Sequence, residues 1–208
     1  MEDLFGRQAS AAETFIVGND RATKGNPAVQ QGTASAFVAG QFLLANPRIT
    51  DPRFAEAVIY VVSHDADGAM GLILNQTYGT GRLRSLLAGF GMMQDNAHGS
   101  VTLHAGGPVE PTRGFVLHSD DYAGPSTHIL TGGLALSTGK DVLEALAADK
   151  GPRNCLVFLG YAGWGPGQLE GELAHDDWLT ATADRDTVLS IDPDHLWKLL
   201  FARAGTPL

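Results

Sequence analysis

Ala57-Val58-Ile59-Tyr60-Val61-Val62-Ser63-His64, then Asp65-Ala66-Asp67-Gly68, then Ala69-Met70-Gly71-Leu72-Ile73-Leu74-Asn75 is the stretch that decides the fold. The first run is β-branched and aromatic, the last is apolar, and the four residues between them carry turn chemistry. The pattern predicts an antiparallel hairpin. On its N-terminal side, Gln41-Phe42-Leu43-Leu44-Ala45 is a short apolar run closed by Asn46-Pro47, and the proline keeps its predecessor extended, so this reads as another strand. Asp51-Pro52 between them reads as the start of a helical turn.

On the C-terminal side, Leu83, Leu86, Leu87 and Phe90 recur at helical spacing, with Gly91 placed to close the helix. Val101-Thr102-Leu103 and Gly114 to His118 resume strand character. Thr138 is a cap candidate with Asp141 three residues on, opening a helix through Val142, Leu143 and Leu146 that Gly151-Pro152 stops. Cys155 to Leu159 reads as a strand, Pro166 to Ala174 as a short helix, Trp178 to Ala183 as a strand, and Asp192-Pro193 opens a last helix that ends at Gly205. Strand pairs joined by hairpins, with single helices between them, point to an α+β domain and away from a doubly wound parallel sheet. The expectation is one domain over residues 37–208 with a mixed, mostly antiparallel sheet flanked by helices. Residues 1–36, rich in Ala, Gly, Gln, Ser and Thr and without periodicity, read as a flexible N-terminal extension.

The chain has 208 residues, long enough for a substantial core, and 18% charged residues, too few for a disordered polyelectrolyte. Its net charge of -9 repels phosphate backbones and anionic lipid, so direct nucleic-acid binding is not expected. One cysteine, Cys155, permits no internal disulfide, and the first twenty residues lack the basic start and apolar stretch of a signal peptide; a cytoplasmic protein is expected. No apolar run approaches the roughly 20 residues that span a bilayer, so no membrane partner is expected.

Two glycine-rich junctions stand out. Leu159-Gly160-Tyr161-Ala162-Gly163-Trp164-Gly165-Pro166-Gly167-Gln168-Leu169-Glu170 places four glycines between a strand and a helix. Such a loop can carry an anion on its amides, but Pro166 removes one amide, no Lys or Arg is present, and Glu170 and Glu172 already supply negative charge, so it reads as a tight turn before it reads as a phosphate site. The nucleotide signatures also break, since Glu170 stands where a third fingerprint glycine would fall and Leu134 where the first P-loop glycine would. His104-Ala105-Gly106-Gly107-Pro108-Val109-Glu110 is the second junction, with Glu110, Arg113 and His118 as an acid/base group or, more commonly, a turn with a surface ion pair.

The seven histidines form no H-x-H, H-E-x-x-H or Cys/His knuckle, so no metal is assigned, and no cofactor motif appears. There is no G-x-S-x-G elbow, and Cys155 reads as a small core residue. A pocket where the two junctions meet would be walled by His64, Asn75, Gly107, Glu110, His118, Tyr161, Trp164 and Gln168, the candidate ligand-binding residues. None of them is assigned a catalytic role.

Gly40 to Pro47, Asp51-Pro52-Arg53-Phe54, Gly68 to Asn75, Gly106-Gly107-Pro108-Val109, Gly114 to His118 and the Leu159 to Glu170 block occur in an order that closely resembles the bacterial YqgE/AlgH family, from about residue 40 to the C-terminus. The resemblance implies a branched, partly barrel-like sheet flanked by helices. It also implies a cytosolic protein named as a transcriptional regulator without an established biochemical activity. Members often carry a cysteine in the strand before the position of His64, where this chain has Val61-Val62-Ser63, so a thiol mechanism is not carried over. The expected function is regulation through a small ligand or protein partner; the alternative is an enzyme using the pocket between the junctions.

Overall fold

The computed structural model describes residues 37–93, 97–190 and 192–204. The extension expected over residues 1–36 and the helix end expected at Gly205 lie outside the described residues. Among the described residues, ten strands form one curled, branched sheet: β1 (Gln41–Ala45), β2 (Val58–Asp65), β3 (Gly68–Ile73), β4 (Thr77–Arg82), β5 (Ser100–Ala105), β6 (Val109–Ser119), β7 (Thr127–Ile129), β8 (Leu134–Ser137), β9 (Cys155–Trp164) and β10 (Trp178–Thr182). Five helices flank it among the described residues: α1 (Leu83–Gly89), α2 (Lys140–Ala147), α3 (Gln168–Ala174), α4 (Arg185–Ser190) and α5 (Pro193–Ala204). This is an α+β fold.

The main path runs β10-β1-β2-β3-β9-β6-β8-β7, with β4 paired to β5 and β5 to β9. Every pairing is antiparallel except β5 with β9. The hairpin expected from Ala57 to Asn75 is β2 and β3, in register from Ile59↔Ile73 to Asp65↔Gly68 with an irregularity between Val61 and Ser63. Its side chains divide by parity. Val58, Tyr60 and Leu72 enter one core together with Phe42, Leu44, Phe115, Leu117 and Phe158, which α4 and α5 cover through Val188, Leu196 and Leu200. Ile59, Val61 and Ile73 enter a second core on the opposite face with Leu43, Trp164, Leu169 and Trp178. Both faces of the hairpin are buried, which is why the run from Val58 is apolar without alternation. A third core lies between α1, α2 and the β5/β9 face, through Leu86, Leu87, Val142, Leu143, Leu103 and Val157.

Several local expectations need correction. Gly160 to Trp164 is not a loop, because β9 continues through it and changes neighbour on the way. Val157, Phe158 and Leu159 lie between β5 and β6, whereas Ala162, Gly163 and Trp164 pair with β3. The helix expected from Pro166 begins at Gln168. Thr138 is not the cap of α2: Gly139 holds that position and has no side chain with which to cap it, while Asp141 accepts from Ser126. Asp51-Pro52 does open a helical turn as expected, closed by the Ala55 N–H to the Asp51 carbonyl at 2.8 Å. Strands β4, β7 and β8 and helix α4 were not expected. α4 does carry a start signal, in that Asp184 accepts from the Thr187 amide at 2.8 Å and from its hydroxyl at 2.6 Å.

Candidate functional site

The two glycine-rich junctions meet. The Gly106 amide donates to the Leu159 carbonyl at 2.8 Å and its carbonyl accepts from Ile73 at 3.0 Å, so the first junction lies across the point where β9 changes partner. A side chain on Gly106 would collide with the Gly160 carbonyl, and one on Gly107 with the Tyr161 backbone. Only glycine permits backbones to approach this closely, and Gly160 has in addition a φ of 70°. Beyond this crossing the chains diverge. Between Pro108 and Trp164 they leave a cavity of about 350 Å³, within the range of about 300–1,000 Å³ typical of ligand pockets.

Ala162 and Gly163 of β9 line the cavity. Its aromatic walls are Phe54, from the turn before β2, Trp164, at the end of β9, and Trp178, at the start of β10. Phe54 and Trp178 meet edge to face at 6.0 Å, and Trp164 and Trp178 do so at 6.2 Å. Its polar groups come from α3 and the turn after it: Gln168, Glu172 and Asp177. Gln168 and Glu172 are four residues apart and therefore share a helix face.

One oxygen of Glu172, Oε2, accepts both indole N–H groups, Trp164 at 2.8 Å and Trp178 at 2.7 Å, while Oε1 accepts from Gln168 Nε2 at 2.9 Å. Gln168 in turn accepts from the Gly165 amide at 3.1 Å, tying the strand end to the helix start. No Lys, Arg or His among the described residues pairs with Glu172. Asp177 is ion-paired with Arg48 at 3.2 Å in a half-exposed contact.

Of the residues expected to form the site, Trp164 and Gln168 line this cavity and Gly107 shapes the crossing behind it. Tyr161 faces a neighbouring, more open hollow of about 320 Å³ with Arg113, Asp65 and Asp67, which Trp164 also borders. The other four residues are not brought to the cavity. Asn75 accepts from the Val58 amide and donates to the Glu56 carbonyl, both at 2.8 Å, clamping the start of β2. Glu110 is half exposed in an ion pair with Arg113 at 2.9 Å.

His118 is fully buried, its Nδ1 bonded to the Ser119 carbonyl at 2.8 Å and its Nε2 to the Ser137 hydroxyl at 2.9 Å. Burial pushes its pKa down, so it belongs to the core as a neutral ring. His64 accepts the Val38 amide on Nδ1 at 3.1 Å, which places the ring proton on Nε2, 3.5 Å from Glu170 Oε1. It lies beneath α3 and does not line the cavity. Sequence reasoning missed Phe54, Glu172, Asp177 and Trp178; the four-residue spacing of Gln168 and Glu172 was a signal for one of them.

The AlgH-like family model matches residues 42–208. A UPF0301 protein of Methylococcus capsulatus is 52% identical over 182 residues, covering 88% of this chain and 98% of that protein. A UPF0301 protein of Thioalkalivibrio sulfidiphilus is 42% identical, covering 85% and 94%. The solution structure of the AlgH protein from Pseudomonas aeruginosa superposes with a TM-score of 0.69 at 38% identity, over 86% of this chain and 94% of that one. The branched sheet, the crossing of its two glycine-rich junctions and this likeness along nearly the whole described domain lead to one assignment: the chain belongs to the AlgH-like family.

Proposed function

We propose that the protein binds a small ligand in the cavity between Pro108 and Trp164, and that it regulates through this ligand or through a protein partner, in the cytoplasm and without contacting DNA itself. The observation that carries the reading is the convergence of the two glycine-rich junctions on one aromatic and acidic cavity, built from three separate stretches of chain. Aromatic walls with a few placed polar groups suit small-molecule recognition. The regulatory part rests on the family resemblance. Exclusion of direct DNA contact rests on the net charge of -9, which opposes approach to a phosphate backbone.

The enzyme alternative would use the same cavity, but its carboxylates are already engaged. Glu172 accepts three N–H donors and Asp177 is ion-paired, so neither is arranged as a free general base. A thermal-shift screen against a library of cytosolic metabolites tests the reading. A ligand at a hundred times its Kd stabilises the native state by about 2.7 kcal/mol and raises Tm accordingly. Hits that lose their effect when Trp164 is replaced by Leu support it, and hits indifferent to that change refute it. In a DNA-shift assay across a salt series the protein is expected to show no tight, salt-sensitive retention; such retention would overturn the DNA clause.

A further inference from the structure

We infer that the cavity between Pro108 and Trp164 takes a small organic cation, an alkylammonium or quaternary ammonium group. The assignment rests on the ligand-binding reading above and names its ligand class. Three aromatic rings, Phe54, Trp164 and Trp178, border the space, with both adjacent ring pairs close to perpendicular at 86° and 82°. The rings border the space from three different elements, and the Arg53 guanidinium already lies over the Phe54 ring at 5.7 Å. Their π-faces attract positive charge, which is how quaternary ammonium groups are held in aromatic cages.

The charge of the wall has the matching sign. Glu172 presents a carboxylate whose three hydrogen-bond donors are all neutral N–H groups, so its negative charge is oriented but not compensated by a cation. Two of those donors are the indoles of the same cage. An indole whose N–H is given to an anion becomes richer in electrons, and its π-face attracts a cation more strongly. Asp177 adds a second carboxylate at the rim, partly satisfied by Arg48. An anionic guest would meet Glu172 and Asp177, and a strongly hydrogen-bonding neutral guest would find both indole N–H donors and one N–H of Gln168 already committed. A greasy cation needs no donor and supplies the missing charge.

The test is an NMR titration of the intact chain with choline and with its neutral isostere 3,3-dimethylbutan-1-ol, at constant ionic strength. The chain has three tryptophans, so the side-chain indole region contains three N–H signals, assigned with single Trp→Phe variants. Choline is expected to shift the Trp164 and Trp178 signals saturably and leave Trp197 in place, with the neutral isostere at least about tenfold weaker, equivalent to about 1.4 kcal/mol. Glu172→Gln is expected to erase that preference while still accepting a hydrogen bond. Should that variant unfold, Phe54→Leu removes one π-face and is expected to weaken choline more than the isostere.

Equal binding of the isostere, or unchanged choline affinity in folded variants, overturns the cation assignment and leaves the ligand-binding reading standing. The same holds if choline leaves both indoles unmoved while another metabolite from the screen shifts them. If no compound in the screen moves either signal, both readings fail.

Discussion

Gly106 and Gly160 lie backbone against backbone, so close that a methyl group on the first would overlap the carbonyl oxygen of the second. This contact sets the angle at which β9 leaves β5 and turns to β3, and thereby the gap in which the cavity forms. Gly160→Ala adds a side chain at a φ of 70°, against the Gly107 carbonyl. The expected cost is about 2–4 kcal/mol, combining left-handed strain with overpacking. Urea denaturation checks it, and a midpoint equal to that of the parent protein would show that the crossing tolerates a side chain.

Glu172 holds two indoles through one oxygen, and its removal strands both donors. Glu172→Ala is expected to destabilise the fold by about 1–3 kcal/mol for each indole N–H left unsatisfied, while Glu172→Gln retains an acceptor and costs less. The comparison is read from chemical denaturation of both variants. If alanine and glutamine were equally well tolerated, the shared acceptor would have no role in stability.

His104 is 2% exposed, with Nδ1 bonded to the Leu74 carbonyl at 2.8 Å, and burial pushes its pKa from 6.5 down to about 4. The unfolded chain therefore binds a proton between those values where the native chain does not. Its contribution to stability is complete above pH 6.5 and is lost as pH falls toward 4, by up to about 3 kcal/mol. Denaturant titrations across that range are expected to show the decline. His104→Asn, which keeps a donor for Leu74 but has no ring to protonate, is expected to flatten it; an unchanged slope would assign the decline to other groups.

Cys155 opens β9 with a partly buried thiol that burial pushes up to about 11. Because the thiolate is the reacting species, alkylation by iodoacetamide at pH 8 is expected to be slow in the native protein and fast in denaturant. Rapid native labelling would mean that the start of β9 opens readily.

Much of this molecule was written in local pattern. The hairpin from Ala57 to Asn75, the helical spacing of Leu83, Leu86 and Leu87, and the last helix after Asp192-Pro193 all follow from periodicity and turn chemistry, which act between near neighbours in the chain. The short strands Thr127–Ile129 and Leu134–Ser137 were not legible, because three or four residues carry too little periodicity and their pairing depends on β6. The Gly160 to Trp164 segment was misread for a related reason: its glycines announce unusual backbone, but whether that backbone is a loop or a bent strand depends on the partners β3 and β6 supply.

The sequence by itself determined an acidic α+β domain of AlgH-like character, and it marked two junctions where side chains had been removed for a purpose. Only the tertiary structure decided what that purpose assembles. Phe54, Trp164, Glu172 and Trp178 are separated by up to a hundred residues and more of chain, and no local rule brings them together. They meet because both faces of the sheet must be buried, which folds α3 back over the end of β9 and places Trp178 beside it. The same burial left His118 and Asn75, polar residues that looked equally suited to a site, as satisfied members of the framework.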